Sequence, residues 1–237
     1  MIHVSIIRRK VSISRKFSDK IENVSILIQN YENELNKIIL DETLLFCLSQ
    51  NKKIVKYSKN KKPFESDDLY STGFYKLRMW AQYGDNNRGV CLCFSREKLK
   101  EVFRNQYINS KIYSTEVKYN DDLKGKFSQF SMEYDQINND FKKYVIDKHI
   151  PKKYENIFFK KTEDWKDEQE YRFVIISNDV NEKITINISA ALTGIFLGID
   201  FPEVYIKSLL HLLKNQDSYI YKLYLGFNRI PDIKKIR

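Results

Sequence analysis

Short runs of β-branched and aromatic residues recur along the chain and constrain its fold more than any other feature. Runs of this kind predict short strands. The predicted strands are residues 43–49, 53–57, 89–94, 111–119, 170–177, 183–188, 192–199 and 219–227. Helical runs separate only some of them, at residues 74–83, 96–105, 129–147 and 202–215. Because the order is mixed, we expect an α+β fold in a single domain, with a mixed, largely antiparallel sheet and flanking helices.

An amphipathic pattern precedes the first predicted strand. Apolar residues recur in steps of three and four, which places them on one face of a helix. They are Ile21, Val24, Ile28, Tyr31, Leu35 and Ile38. We therefore expect residues 1–42 to form an N-terminal segment with this helix. Residues 43–237 are expected to form the α+β domain, with a basic inserted loop near residues 50–70.

The chain is basic, with 41 Lys and Arg against 31 Asp and Glu and a formal net charge of +10. Part of this excess lies between Lys52 and Lys62. Such a cluster can bind phosphates of a nucleic acid, although a solvated loop is the commoner interpretation. A protein that binds or processes nucleic acid is therefore an alternative function, and a non-enzymatic protein-interaction module is another.

Membrane and metal classes receive little support from the sequence. No run approaches the roughly 20 apolar residues of a membrane-spanning helix, and no secretory signal precedes the first strand, so we expect a cytoplasmic protein without membrane contact. The three cysteines, Cys47, Cys91 and Cys93, and the three histidines lack metal-ligand spacing. No metal site is predicted, and the cysteines are expected to pack in the core.

The segment 71–94 concentrates unusual residues in a predicted helix, polar turn and strand. Trp80 and Tyr83 are three positions apart on the helix and could stack on a planar ligand or pack on the sheet. Arg88 stands at the exposed end of the strand, where it could bind an anion or remain solvated. The pattern leaves both interpretations open.

A second segment, Trp165 to Ile176, carries two carboxylates and a guanidinium. If the strand begins by Glu168, then Glu168, Glu170 and Arg172 share one face. Two close carboxylates can divide the work of acid or base and of charge stabilisation, while Arg172 holds one of them or binds a phosphate. The alternative is a row of cross-strand ion pairs on a solvated face, each contributing little stability.

These segments together resemble a known family. Residues 79–91 (MWAQYGDNNRGVC), the Trp165-x-x-Glu168-x-Glu170-x-Arg172 pattern and residues 195–198 (IFLG) occur in an order similar to the bacterial domain-of-unknown-function family 2971. The family usually opens with a Tyr-rich strand and an Asn-Asp-Pro-like segment, where this chain has only Phe17 to Lys20. Residues 1–42 are therefore expected to be divergent.

The resemblance implies a distant relation to the ADP-ribosyltransferase fold and an effector in a toxin or phage-defence setting. NAD would be a substrate, a protein or nucleic acid the acceptor, and no cofactor is identified. Glu168 or Glu170 would be catalytic, stabilising an oxocarbenium-like transition state. Trp80, Tyr83, Arg88 and Arg172 would bind the substrate.

Overall fold

The computed structural model describes residues 22–51, 72–121, 141–176, 186–226 and 231–237. These residues form two compact units that interleave along the chain. Unit 1 comprises the described residues 49–51, 72–108, 186–226 and 231–237, and unit 2 comprises 22–48, 109–121 and 141–176. The boundary expected near residue 42 stays a prediction.

Unit 2 contains a three-stranded sheet, a two-stranded sheet and a helical layer. Its helices are α1 (Glu22–Asp41), α4 (Phe141–Tyr144) and α5 (Ile150–Phe158), with a π-helical turn, Val145–His149, between the last two. Its strands are β1 (Thr43–Ser49), β3 (Lys111–Glu116), β4 (Lys118–Tyr119), β5 (Lys160–Lys161) and β6 (Glu170–Ile176). β6 is the central strand of the order β1-β6-β3, and β4 pairs with β5.

The helices of unit 2 cover one face of the central strand. Leu35 and Ile38 of α1 are buried in a cluster with Val174 and Ile176 of β6. The amphipathic pattern thus predicted correctly that Leu35 and Ile38 face a core. Because side chains alternate along a strand, Glu170 and Arg172 lie on the same face of β6 as Val174 and Ile176.

Unit 1 is a four-stranded mixed sheet with short helices. Its helices are α2 (Leu77–Tyr83), α3 (Arg96–Gln106) and α6 (Ile206–Leu212). Its strands are β2 (Val90–Phe94), β7 (Leu192–Leu197), β8 (Tyr219–Leu225) and β9 (Pro231–Lys235), in the order β2-β7-β8-β9. β7 pairs antiparallel with β2 and parallel with β8, and β8 pairs antiparallel with β9.

The predicted α+β class with mixed, mostly antiparallel sheets is confirmed, while several boundaries differ. The predicted strand 111–119 breaks at Val117, because the chain changes its hydrogen-bond partner there from β6 to the β5 region. The helix predicted to end at residue 147 continues to Phe158, since Pro151 lies in the first turn of α5, where its missing N–H costs nothing. The predicted strand 53–57 lies outside the described residues.

Candidate functional site

A charged cluster in unit 2 forms where the chain enters β6. Residues Glu163–Glu168 form a 3₁₀ helix, and Gln169 then adopts the left-handed conformation, with φ 46° and ψ 55°. β6 begins only at Glu170. The expectation that Glu168 shares a strand face with Glu170 and Arg172 is therefore wrong, because a turn separates Glu168 from the strand.

Ion pairs nevertheless bring the three predicted residues together. Arg172 donates from Nε to Oε1 of Glu170 at 2.6 Å and from Nη2 to Oε2 at 2.9 Å. Its Nη1 donates to the carbonyl oxygen of Phe158. Nζ of Lys161 lies 2.9 Å from Oε2 of Glu170 and also donates to Oε2 of Glu168. Lys161 thus bridges the two carboxylates, and Arg172 holds one of them with a two-pronged contact.

The cluster is buried. Glu168, Glu170 and Arg172 expose 7%, 3% and 2% of their surface, and every residue of β6 is buried. The alternative of ion pairs on a solvated sheet face is therefore wrong. Charged residues on a strand usually face solvent, because burying an unpaired charge is costly. Here the charged residues are buried because each one pairs with an opposite charge.

The environment shifts the acidity of the buried groups. Burial alone raises the pKa of Glu170, but the hydrogen bonds and charge of Arg172, with the contacts of Cys47 and Lys161, outweigh it and lower the pKa to about 2. Burial and the neighbouring Glu170 charge raise the pKa of Cys47 to about 12. Glu170 is therefore ionised and Cys47 is a neutral thiol at neutral pH.

Three members of this cluster were not predicted as site residues. Cys47 comes from β1 and contacts Glu170 and Arg172, Lys161 comes from β5, and the hydroxyl of Tyr119 accepts a hydrogen bond from the Glu170 N–H at 2.8 Å. Burial is the main cause that raises the pKa of Tyr119 to about 12. Pairing among separate strands brings these residues together, and no local sequence signal marks them.

The predicted substrate-binding residues of α2 differ in their exposure. Trp80 exposes 4% of its surface, packs in a core cluster with Phe74 and Phe196, and donates its indole N–H to the Phe74 carbonyl at 2.7 Å. Tyr83 exposes 45%. The packing interpretation is favoured for Trp80, and the stacking role of Tyr83 stays a prediction.

Arg88 follows a tight turn in unit 1. Asp85, Asn86 and Asn87 have φ values of 49°, 48° and 68°, so three successive residues are left-handed. The turn closes through hydrogen bonds from the Arg88 N–H to the Asp85 carbonyl and from the Gly89 N–H to the Gly84 carbonyl, at 3.0 and 2.8 Å. Arg88 is exposed, as the sequence indicated. Its anion-binding role stays a prediction.

The predicted site residues therefore fall into two sets. Glu168, Glu170 and Arg172 belong to unit 2, whereas Trp80, Tyr83 and Arg88 belong to unit 1. Their use in one common site stays a prediction.

The chain is similar to a protein family whose function is unknown. Residues 79–173 match the family model described as a protein of unknown function, DUF2971. The family resemblance is confirmed. The DUF2971 match begins in α2, includes residues 79–91 and the Trp165 to Arg172 pattern, and ends at Phe173 in β6, so residues 195–198 lie outside it. No curated protein and no solved structure gives a significant match to the chain.

The structure bears on the expectation of no membrane contact but not on the basic cluster. Within the described residues, no helix is both long and apolar enough to cross a membrane. The basic cluster between Lys52 and Lys62 lies outside the described residues. The nucleic-acid alternative therefore stays a prediction. The interaction-module alternative also stays a prediction.

Proposed function

We propose that the chain is an NAD-using, ADP-ribosyltransferase-like enzyme, acting in a toxin or phage-defence setting, with Glu168 as its catalytic carboxylate. The observation that supports this proposal is the pair of carboxylates bridged by Lys161 at the entrance to β6. In ADP-ribosyl transfer, the bond between the ribose carbon and nicotinamide breaks, and nicotinamide leaves with the bonding electrons. The acceptor then supplies an electron pair to that carbon.

The two carboxylates are suited to different roles. Glu170 uses both of its oxygens on Arg172 within the sheet, so it acts as a positioning residue. Glu168 is the last residue of the 3₁₀ helix before the strand, and Lys161 holds its carboxylate. A carboxylate that is buried and held in position stabilises positive charge that develops on ribose more strongly than a freely solvated carboxylate does.

The test uses the full chain and NAD labelled in its ADP-ribose portion. We expect nicotinamide release and transfer of label to an acceptor in a panel of proteins and nucleic acids. Glu168→Gln keeps the shape of the side chain but removes its charge, and we expect it to lower kcat by about 100-fold or more. Thermal unfolding of the variant checks that it remains folded.

Glu163→Gln is the matched control, because Glu163 lies in the same 3₁₀ helix and its ion pair with Lys166 is exposed and long, at 3.8 Å. We expect this variant to retain wild-type activity. Absence of nicotinamide release and of labelled product in the wild type would overturn the proposal. Equal activity of the wild type and Glu168→Gln would also overturn it.

A further inference from the structure

A cavity of about 570 Å³ lies within unit 1, at the end of β7. Acidic, basic, amide and apolar residues line it. The polar lining residues are Asp85, Asn86, Arg88, Asp200 and Lys222, and Ile199 and Phe201 complete the wall. All of them belong to unit 1, and none belongs to the charged cluster of unit 2.

The position of the cavity in the sheet favours ligand binding. β7 and β8 are parallel neighbours, and α6 connects them. Residues 199–201 follow β7 directly, and Lys222 of β8 pairs with Leu197, the last residue of β7. The cavity therefore lies outside the carboxyl end of a strand that has a parallel neighbour, where ligands commonly bind in α/β units.

One wall of the cavity is the turn of left-handed residues Asp85–Asn87, which backbone hydrogen bonds hold against the end of β7. The Asn87 carbonyl accepts a hydrogen bond from the Asp200 N–H at 3.0 Å, and the Gly198 N–H donates to the Gly89 carbonyl, also at 3.0 Å. A Cβ on Gly198 would lie 2.0 Å from the Asn87 oxygen, so only glycine permits this contact. These contacts fix the position of Asp85, Asn86 and Arg88 relative to residues 199–201 across the cavity.

Two cations of the cavity can take an anion. Among the described residues, the Arg88 guanidinium has no hydrogen bond or ion pair, and its planar fork suits a phosphate. Lys222 donates to the Phe201 carbonyl at 3.4 Å and to Oε1 of Glu203 at 3.2 Å. The Glu203 side chain is 83% exposed, so this ion pair is weak and a phosphate can replace it.

The carboxylates of the cavity restrict the ligand further. Asp85 and Asp200 repel a bare polyanion, but they accept hydrogen bonds from hydroxyl groups. A ligand that satisfies both halves of the lining carries a phosphate next to hydroxyls. Ribose phosphate has this combination, and the lining also includes the apolar residues Ile199 and Phe201.

We propose that this cavity binds the ribose phosphate of a nucleotide, with the phosphate at Arg88 and Lys222 and the ribose hydroxyls at Asp85 and Asp200. The proposal concerns binding alone and does not depend on the activity proposed for Glu168. A binding measurement can therefore fail while NAD cleavage is observed, and the reverse can also occur.

Isothermal titration calorimetry of the full chain tests the proposal with ribose 5-phosphate, inorganic phosphate and ribose. We expect ribose 5-phosphate to bind at least about tenfold more tightly than either fragment, because only it contacts both halves of the lining. Arg88→Gln is expected to weaken its binding about tenfold or more. Arg104→Gln is the matched control, since Arg104 is an exposed arginine of α3 outside the cavity lining, and should leave binding unchanged.

Two further variants test the hydroxyl contacts and the phosphate contacts separately. Asp200→Asn should weaken binding of ribose 5-phosphate without weakening that of inorganic phosphate. Glu203→Gln should tighten binding of both, because it removes the competing carboxylate from Lys222. Equal affinities in Arg88→Gln and Arg104→Gln, equal affinities for ribose 5-phosphate and inorganic phosphate, or no binding at millimolar concentrations would each overturn the proposal.

Discussion

Charged residues lie in opposite environments in the two units. In unit 2, Glu170 and Arg172 are buried and bind each other through two hydrogen bonds. In unit 1, Arg88 and Asp85 are exposed and line an open cavity. Both regions contain similar residue types, so residue type alone does not distinguish a structural charge from one available to a ligand.

This difference indicates that the contribution of a charged residue to stability depends on its burial and on its ion-pair partners within the protein. A buried guanidinium that loses its carboxylate remains desolvated and unpaired, whereas an exposed guanidinium is solvated by water. Substitutions of the same kind in the two regions should therefore have very different effects on stability.

The largest difference is expected between Arg172→Leu and Arg88→Leu. Arg172→Leu leaves Glu170 charged and buried without its main partner, so we expect the free energy of unfolding to fall by about 3–5 kcal/mol. Arg88→Leu removes an exposed charge, and its effect should stay within about 0.5 kcal/mol. Urea denaturation followed by circular dichroism measures both. Similar losses in the two variants would contradict the contrast between the regions.

The buried pair should also give stability that depends on pH. Because the pKa of Glu170 is lowered to about 2 in the folded protein, from an ordinary value of 4.5, the ionised form stabilises the fold above pH 4.5. This contribution, on the order of 3 kcal/mol, is lost as the pH falls from about 4.5 to about 2. Unfolding free energies of the wild type and Glu170→Gln should therefore converge over this range.

His149 also makes stability depend on pH, but in a way that the Glu170→Gln substitution should not change. Burial lowers its pKa from 6.5 to about 4, so the folded state resists its protonation, and stability decreases as the pH falls from 6.5 towards 4. This loss should be common to the wild type and Glu170→Gln. A constant difference between the two proteins from pH 5 to pH 2 would contradict the proposed ionisation of Glu170.

A smaller effect is expected at the wall of the cavity in unit 1. Gly198→Ala places a Cβ against the Asn87 carbonyl, so the backbone must shift, and we expect a loss of about 1–3 kcal/mol. Gly194→Ala, in the middle of β7, is the control because its Cβ would meet its nearest neighbour at 3.7 Å, an ordinary contact. Thermal unfolding distinguishes the two variants. Equal stabilities would show that the turn is not tightly held.

The smallest effect concerns the left-handed residues of the two regions. Gln169 has φ 46°, which is unfavourable for a residue with a long side chain, so Gln169→Gly should raise the free energy of unfolding by about 0.5–1 kcal/mol. Asn86, with φ 48°, tolerates this conformation better, and Asn86→Gly should change stability little. Destabilisation by Gln169→Gly would indicate that its side chain contributes more than the backbone strain costs.

Local sequence patterns predicted most of the described strands and the resemblance to the DUF2971 family. The strand Thr43–Ser49 was predicted with its observed bounds, and β2, β7 and β8 each lie within a predicted run. These predictions succeeded because side-chain preference and periodicity act over a few neighbouring residues. The alternative of a solvated face on β6 was wrong, because exposure depends on elements distant in sequence that cover the strand.

The candidate site could be predicted only in part for the same reason. Glu168, Glu170 and Arg172 are recognisable because they are close in sequence, whereas Lys161, Cys47 and Tyr119 join them through strand pairing. Trp80 and Tyr83 have similar sequence signals but differ in burial, since the packing of α2 on its neighbours covers one and leaves the other exposed.

The sequence by itself determined the α+β class, the amphipathic α1 and the resemblance of residues 79–173 to the DUF2971 family, because each of these depends on residue type and local order. Tertiary structure decided that the charges of β6 are buried and paired and that Arg88 lines an open cavity. The physical reason is that the cost of a charge depends on its solvation and its partners, and long-range packing supplies both.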